Sequence, residues 1–220
     1  MKKLVTTIAF GAMALAAPLY SVAGTLDIGE ETHLIFMREE EKLARDVYMT
    51  LGELYPDDAT FTNIGDDSEQ THTDTVRDML AIYGIADPNP DANILPASIG
   101  VFTGEEYGWY FTEKFELLVN WGSQSQLDAW YVGAFIEELD MIDIIGCPKI
   151  IVETDNGIDA GECGMDYTDE AQLKTMYGHL VDGSENHLRA FVKNIENVIG
   201  EGNYVAQVLT QEQVDAILGR

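Results

Sequence analysis

Four long stretches of this chain place apolar residues at spacings of three and four, and each sets a carboxylate or an imidazole on its apolar side. That periodicity predicts amphipathic helices whose apolar stripes face a shared interior. Acids and histidines on those stripes point inward too. An isolated ionised carboxylate is costly to bury, by several kcal/mol. A chain of this pattern must therefore bring its inward polar groups to one place, where they pair or share a cation.

The first stretch runs from about Thr32 to Tyr55 and ends at Pro56, with Met37, Ala44, Val47, Tyr48, Leu51 and Tyr55 on one side. Its segment Arg38–Tyr48 is dense in charge. Most of those charges are expected on a wet face, with Glu41 facing Arg45 or Lys42 facing Asp46 one turn on. Glu41 nevertheless shares the side of Met37, Ala44 and Tyr48, and Glu40 competes with it. The second stretch, Ser68 to Tyr83, follows Gly65-Asp66-Asp67 and stops at Gly84. It carries Glu69 and His72, three residues apart and so on one face with Val76, Met79, Leu80 and Tyr83.

The third stretch, Ser125 to Ile145, has Leu127, Trp130, Ala134, Met141 and Ile145 as its stripe. Glu137 and Glu138 lie mid-way along it. Glu138 is nearer the stripe's centre, whereas Glu137 adjoins the small residues Gly133 and Ala134; spacing does not choose between them. The fourth stretch, Thr168 to Ile199, is closed by Gly200. Leu173, Tyr177, Leu180, Ser184, His187, Phe191 and Ile195 form its inner row.

Between the second and third stretches lies a long connection, Gly84 to Gln126, of the length a bundle crossover needs. It holds a short helix near Gly104–Asn120 whose row Tyr107, Tyr110, Phe111, Phe115 and Leu118 reads as packing. Cys147 and Cys163, the chain's two cysteines, flank an acidic loop that does not match an EF-hand pattern. A disulfide joining them is the expectation, stapling that loop. Thr210-Gln211-Glu212-Gln213 reads as a capping box opening a last helix through Leu218.

The opening reads as a secretory signal: Lys2 and Lys3, then a mostly apolar run from Leu4 to Leu19, then small residues at Ser21-Val22-Ala23. Residues 1–23 are expected to be removed and 24–220 to form one domain, periplasmic or secreted, with no membrane attachment after cleavage. Formal net charge is −27, and loss of Lys2 and Lys3 takes it to −29. Such a surface repels nucleic acid and anionic lipid.

The segments REEEKLARDVY, SEQTHTDTV, VGAFIEELD and GSENHLRAF resemble a ferritin-like domain-of-unknown-function family of bacteria and archaea. That family belongs with the ferritin and rubrerythrin di-iron carboxylate proteins, and the likeness covers about Thr32 to Tyr204. It implies an all-α, ferritin-like four-helix bundle with a long crossover between helices two and three, plus short accessory helices. It further implies a metal centre from Glu41, Glu69, His72, Glu137 or Glu138, and His187, with Tyr48 hydrogen-bonding behind the ligands. The superfamily pattern E-x-x-A-x-x-x-Y favours Glu41 over Glu40. One departure stands out: where a second E-x-x-H would put a carboxylate before His187, this chain has Ser184. Glu185 is one position off that face, and Asp140 compensates only if Glu137 points inward.

Oxygen and imidazole ligands without thiolate suit two iron ions, with manganese or zinc as alternatives. The function expected is an exported iron-binding protein, with oxidase or peroxidase-type chemistry fed by an electron donor from outside the chain. A homodimer is entertained as its assembly. Non-catalytic metal binding or carriage, and a metal-free helical interaction module, are the competing readings.

Overall fold

The computed structural model describes residues 24–154 and 157–220. Residues 1–23, where the sequence leads one to expect an export signal, lie outside the described residues. Every regular element among those described is helical.

Helix α1 spans Ile28–Leu54. It begins before the expected Thr32 because Asp27 caps it: its Oδ1 accepts from the Glu30 amide at 2.9 Å, and Glu30 Oε2 accepts from the Asp27 amide at 3.1 Å. The next helical run starts earlier than Ser68. It opens as α2, Ala59–Thr62, continues as a π-helical stretch, Asn63–Glu69, and becomes α3, Gln70–Tyr83. Gly65-Asp66-Asp67 is thus helix interior rather than a helix start. Gly65 serves close approach: a Cβ there would lie 3.0 Å from Tyr48 Cβ and 3.2 Å from the Met49 amide nitrogen. Gly84, at φ 72°, ends α3 as expected.

Helix α4 spans Gly108–Gly122 and α5 spans Gln126–Ile145, the latter capped by Ser125. The short α6, Lys149–Glu153, precedes α7, Ala171–Ile199, and α8, Gln211–Leu218, opens with the Thr210–Gln213 capping box. Helices α1, α3, α7 and α5 each touch the next in turn and enclose a common interior, while α4 lies outside against α1 and α5. The inner row of α7, from Leu173 through His187 to Ile195, is buried there.

The wet face expected for the charges of α1 does not exist. Arg38 through Tyr48 are all buried, because the Gly84–Tyr107 connection folds over the outer side of the helix. Lys42 does pair with Asp46, but Arg45 pairs with Asp46 rather than with Glu41. Lys42 Nζ donates to Ser98 O at 2.8 Å, Arg45 Nη2 to Ala92 O at 3.0 Å, and the Gly100 amide to Asp46 Oδ2 at 2.9 Å. Arg38 grips Asp87 through Nε and Nη2, each at 3.0 Å. Ion pairs and carbonyl contacts attach this connection to the helix, beside ring contacts such as Tyr107 on Phe36 and Phe102 under Lys42.

Cys147 and Cys163 form the expected disulfide. It closes a loop with a sequence separation of 16, whose far side also bonds α5 through the Met165 amide to Ile144 O at 2.9 Å. Constraint of the unfolded chain over such a loop is worth about 3 kcal/mol. The Cys147→Ser/Cys163→Ser variant should therefore unfold at correspondingly lower denaturant, with unchanged helix content by circular dichroism. No helix among the described residues is long and apolar enough to cross a membrane.

Candidate metal centre

Midway along the enclosed interior, α1 supplies Glu41, the π-helical stretch Glu69, α3 His72, α5 Glu137 and α7 His187. Their ligand atoms converge as two triads, Glu41–Glu69–His72 and Glu69–Glu137–His187, each within 4.8 Å, and Glu69 belongs to both. His72 Nδ1 lies 3.3 Å from Glu41 Oε2 and 3.2 Å from Glu69 Oε2. His187 Nδ1 lies 2.8 Å from Glu69 Oε1 and 3.4 Å from Glu137 Oε1. The two imidazole rings stand 5.5 Å apart.

Local structure explains why these side chains meet. The wider π-helical turn lets Ser68, Glu69 and His72 all address the interior, and such turns recur at functional sites. Ser68 Oγ lies 2.7 Å from His187 Nε2. A neutral His187 that donates Nε2–H to Ser68 would turn its Nδ1 lone pair towards the carboxylates. Gly183 on α7 makes room for His72, whose ring atoms would lie 2.4 and 2.5 Å from a Cβ there. Tyr48 donates to Glu137 Oε1 at 2.6 Å and orients it. Neither Ser68 nor Gly183 stood out in the sequence. The signal for Ser68 was its place four residues before His72, and for Gly183 its place next to Ser184 on an otherwise well-filled helix.

Consecutive helix positions differ by about 100° in direction, so only one of Glu137 and Glu138 can face the centre. Glu137 does. Glu138 turns to the C-terminal segment, where Oε2 accepts from the amides of Gln207, Val208 and Leu209 at 2.8, 2.6 and 2.9 Å. Its Oε1 accepts from Tyr204 Oη at 2.6 Å. Glu138 therefore lies away from the two triads and tethers the C-terminal segment. Glu138→Gln should cost about 1–3 kcal/mol of stability, as buried amides lose a charged acceptor, and leave metal content unchanged. Glu137→Gln should do the reverse, with metal content read by elemental analysis and stability by urea unfolding.

Asp140, one turn after Glu137, meets the condition set by Ser184. Ser184 Oγ donates to Asp140 Oδ2 at 2.6 Å, while Asp140 Oδ1 is buried with no hydrogen-bond partner. Burial, then the charges of Glu41 and Glu137, push its carboxyl well above the usual range. Glu40, the competitor for the α1 ligand position, faces away from the triads beside Asp143.

As the side chains stand, the histidines hold protons to balance the acids. Burial works against His72 being charged, but the Glu69 charge and the bond to Glu41 outweigh it and lift its pKa to about 12. His187 is treated alike, with Glu137 and Glu69 raising it to about 10 against burial. Burial would raise Glu69, yet the two imidazoles carry it far below the usual carboxylate range. Burial pushes Glu41 up to about 7. This proton arrangement leaves atoms unsatisfied: Glu41 Oε1 and His187 Nδ1 are buried and make no hydrogen bond of acceptable geometry, although His187 Nδ1 is close to Glu69. His72 Nδ1 does bond Glu69 Oε2 at 3.2 Å, but the crowding of the other ligand atoms without hydrogen bonds is what a shared cation would arrange. His33, by contrast, is fully partnered, with Tyr177 Oη and Asp143 O each at 2.8 Å.

Over residues 30–220 the chain matches the family described as an uncharacterized protein domain, DUF2202. The chain belongs to this family. The uncharacterized protein MJ0754 of Methanocaldococcus jannaschii is 40% identical to it over 189 residues, or 86% of each chain. The crystal structure of hypothetical protein MJ0754 from Methanococcus jannaschii matches at TM-score 0.69 and 38% identity, covering 91% of this chain and 98% of that one. This DUF2202 chain thus shares its helical fold with a solved relative across nearly the whole of both molecules.

Proposed function

We propose that this chain is a ferritin-like four-helix bundle that holds two metal ions, iron foremost, between α1, α3, α5 and α7. Glu41 and His72 would hold one ion, Glu137 and His187 the other, and Glu69 would bridge them. The observation that carries this reading is the pair of buried triads sharing Glu69, with Glu41 Oε1 and His187 Nδ1 lacking any other partner. The donor set is oxygen and imidazole, since both cysteines are tied in the disulfide. That set suits iron, manganese or zinc rather than softer metals.

Three carboxylates leave one positive charge uncompensated against two divalent ions. Asp140, bonded to Ser184 beside the triads, would supply the fourth negative charge on giving up the proton that burial and the neighbouring acids favour. Tyr48 and Ser68 fix the orientation of Glu137 and His187, the role that hydrogen-bonding partners play behind metal ligands. Two neighbouring iron ions supply two-electron chemistry towards dioxygen or peroxide, with electrons from an external donor. An exported location goes with this reading on the strength of Lys2–Ala23.

Ser184 favours a second reading, metal carriage without turnover, because the position that would give a fourth-helix carboxylate holds a hydroxyl instead. Ferrous iron added anaerobically to the chain should bind at about two equivalents, measured by elemental analysis after gel filtration. Less than about 0.2 equivalents, with manganese and zinc no better, sinks both readings. Peroxide consumption above that of free iron then separates the oxidase or peroxidase from the carrier.

A further inference from the structure

On the other side of the α1–α5 seam from the triads lies a cavity of about 240 Å³. Helix α4 walls it with Phe111, Leu118 and Trp121, and α5 with Phe135, Ile136 and Leu139. No metal-centre ligand lines it. Adjacent positions on α1 and α5 serve the two compartments in turn: Glu41 and Glu137 face the centre, Glu40 and Ile136 the cavity.

The cavity has one acid and one base, at opposite ends. Glu40, 6% exposed, lines the cavity; its carboxyl hydrogen-bonds that of Asp143, and no other protein group reaches its Oε2. Asp143 and Asp140 stand behind it. Lys114 stands at the outer end, its ammonium 5.0 Å from the centre of the Tyr110 ring, beside the exposed Leu117. An anionic head would meet the acids inside, and a cationic one would have to pass Lys114 and leave its hydration behind. A neutral hydrogen-bond donor on an apolar body meets neither obstacle. An apolar protein cavity of roughly 150 Å³ is enough for benzene, so about 240 Å³ admits a ring with a short side chain.

We propose that the cavity between α1, α4 and α5 is a second binding site, for a small neutral alcohol with an aromatic or aliphatic body whose hydroxyl donates to Glu40. The aromatic row of α4 then does more than pack: Tyr110, Phe111 and Trp121 face the ligand. No residue that lines the cavity is a ligand in the two triads, so the cavity can be altered without touching a ligand.

The test titrates the full chain with 2-phenylethanol, following Trp121-dependent fluorescence and calorimetry, beside ethylbenzene, 2-phenylethylamine and 3-phenylpropanoate. The alcohol should saturate one site and bind about tenfold more tightly than each comparator, the advantage of one hydrogen bond to a buried carboxyl. Leu139→Trp, which fills the cavity, should weaken alcohol binding at least about tenfold with helix content intact. Glu40→Leu should bring the alcohol-to-ethylbenzene ratio to about one while both still bind. Glu69→Ala, which removes the residue common to both triads, should change none of these values; a failure of the metal reading therefore leaves this one standing, and the reverse. The proposal is overturned by absence of saturation, by a charged comparator binding more tightly than the alcohol, or by binding that survives Leu139→Trp. A concentration-dependent dimer that Leu117→Asp dissociates would equally overturn it, since a second copy would then cover the cavity.

Discussion

Glu69→Ala is expected to abolish both metal positions at once, whereas His72→Ala and His187→Ala each remove one. Glu69 is the residue common to the two triads, with Oε2 towards His72 and Oε1 towards His187. Removing it leaves each remaining position two ligands, Glu41 with His72 and Glu137 with His187, too few to displace solvent from a hard divalent ion. Iron content should fall from about two equivalents per chain to below about 0.2 for Glu69→Ala, and to about one for either histidine variant. Glu138→Gln serves as the folded control, because its carboxylate belongs to the Gln207–Leu209 amides. A Glu69→Ala protein that retains a full equivalent would show that the two triads are not joined through Glu69, and the bridged centre would have to be given up.

The largest loss of stability is expected at Asp46, which belongs to neither triad. Asp46 takes Lys42 and the Gly100 amide on Oδ2, and Arg45 on Oδ1 at 2.9 and 2.7 Å, with no part of the group in water. Truncation in Asp46→Ala leaves two buried cations with no carboxylate partner, held by carbonyl oxygens and, for Lys42, the face of Phe102. Breaking a buried pair from one side costs about 3–5 kcal/mol. In a chain of this size that corresponds to a fall in Tm of roughly 10 °C. Lys149→Ala is the comparison: it breaks a pair with Glu153 that is 85% and 57% exposed, where the expected change is below about 1 kcal/mol. The Gly84–Tyr107 connection should also become the first region cut by protease in Asp46→Ala, since Ala92, Ser98 and Gly100 lose their common anchor. An Asp46→Ala protein as stable as the parent would mean that apolar contacts such as Lys42 stacked 4.4 Å over Phe102 hold the connection instead.

Helix positions were legible wherever a local rule decides them. Pro56, Gly84, Ser125, Gly200 and Thr210 mark ends that capping and backbone chemistry impose on a short segment, whatever surrounds it. The disulfide was legible too, being the one pairing available to two cysteines. The register inside 63–69 was not, because a π-helical turn depends on what lies against it, here Tyr48 across from Gly65.

Periodicity by itself determined that the chain is helical, and that Glu69, His72 and His187 sit on the faces that helices turn inward, while the choice of Glu41 over Glu40 rested on the family resemblance. A repeat of 3.6 residues is a property of one helix, and composition along one helix reveals it. Which of Glu137 and Glu138 joins that set was decided only in three dimensions, by a C-terminal segment seventy residues away that offers three amides to one of them. The burial of Arg38, Lys42, Arg45 and Asp46 was likewise a tertiary matter. Charges at helical spacing look alike on a wet face and under a covering loop, and the covering of α1 depends on where the Gly84–Tyr107 connection lies.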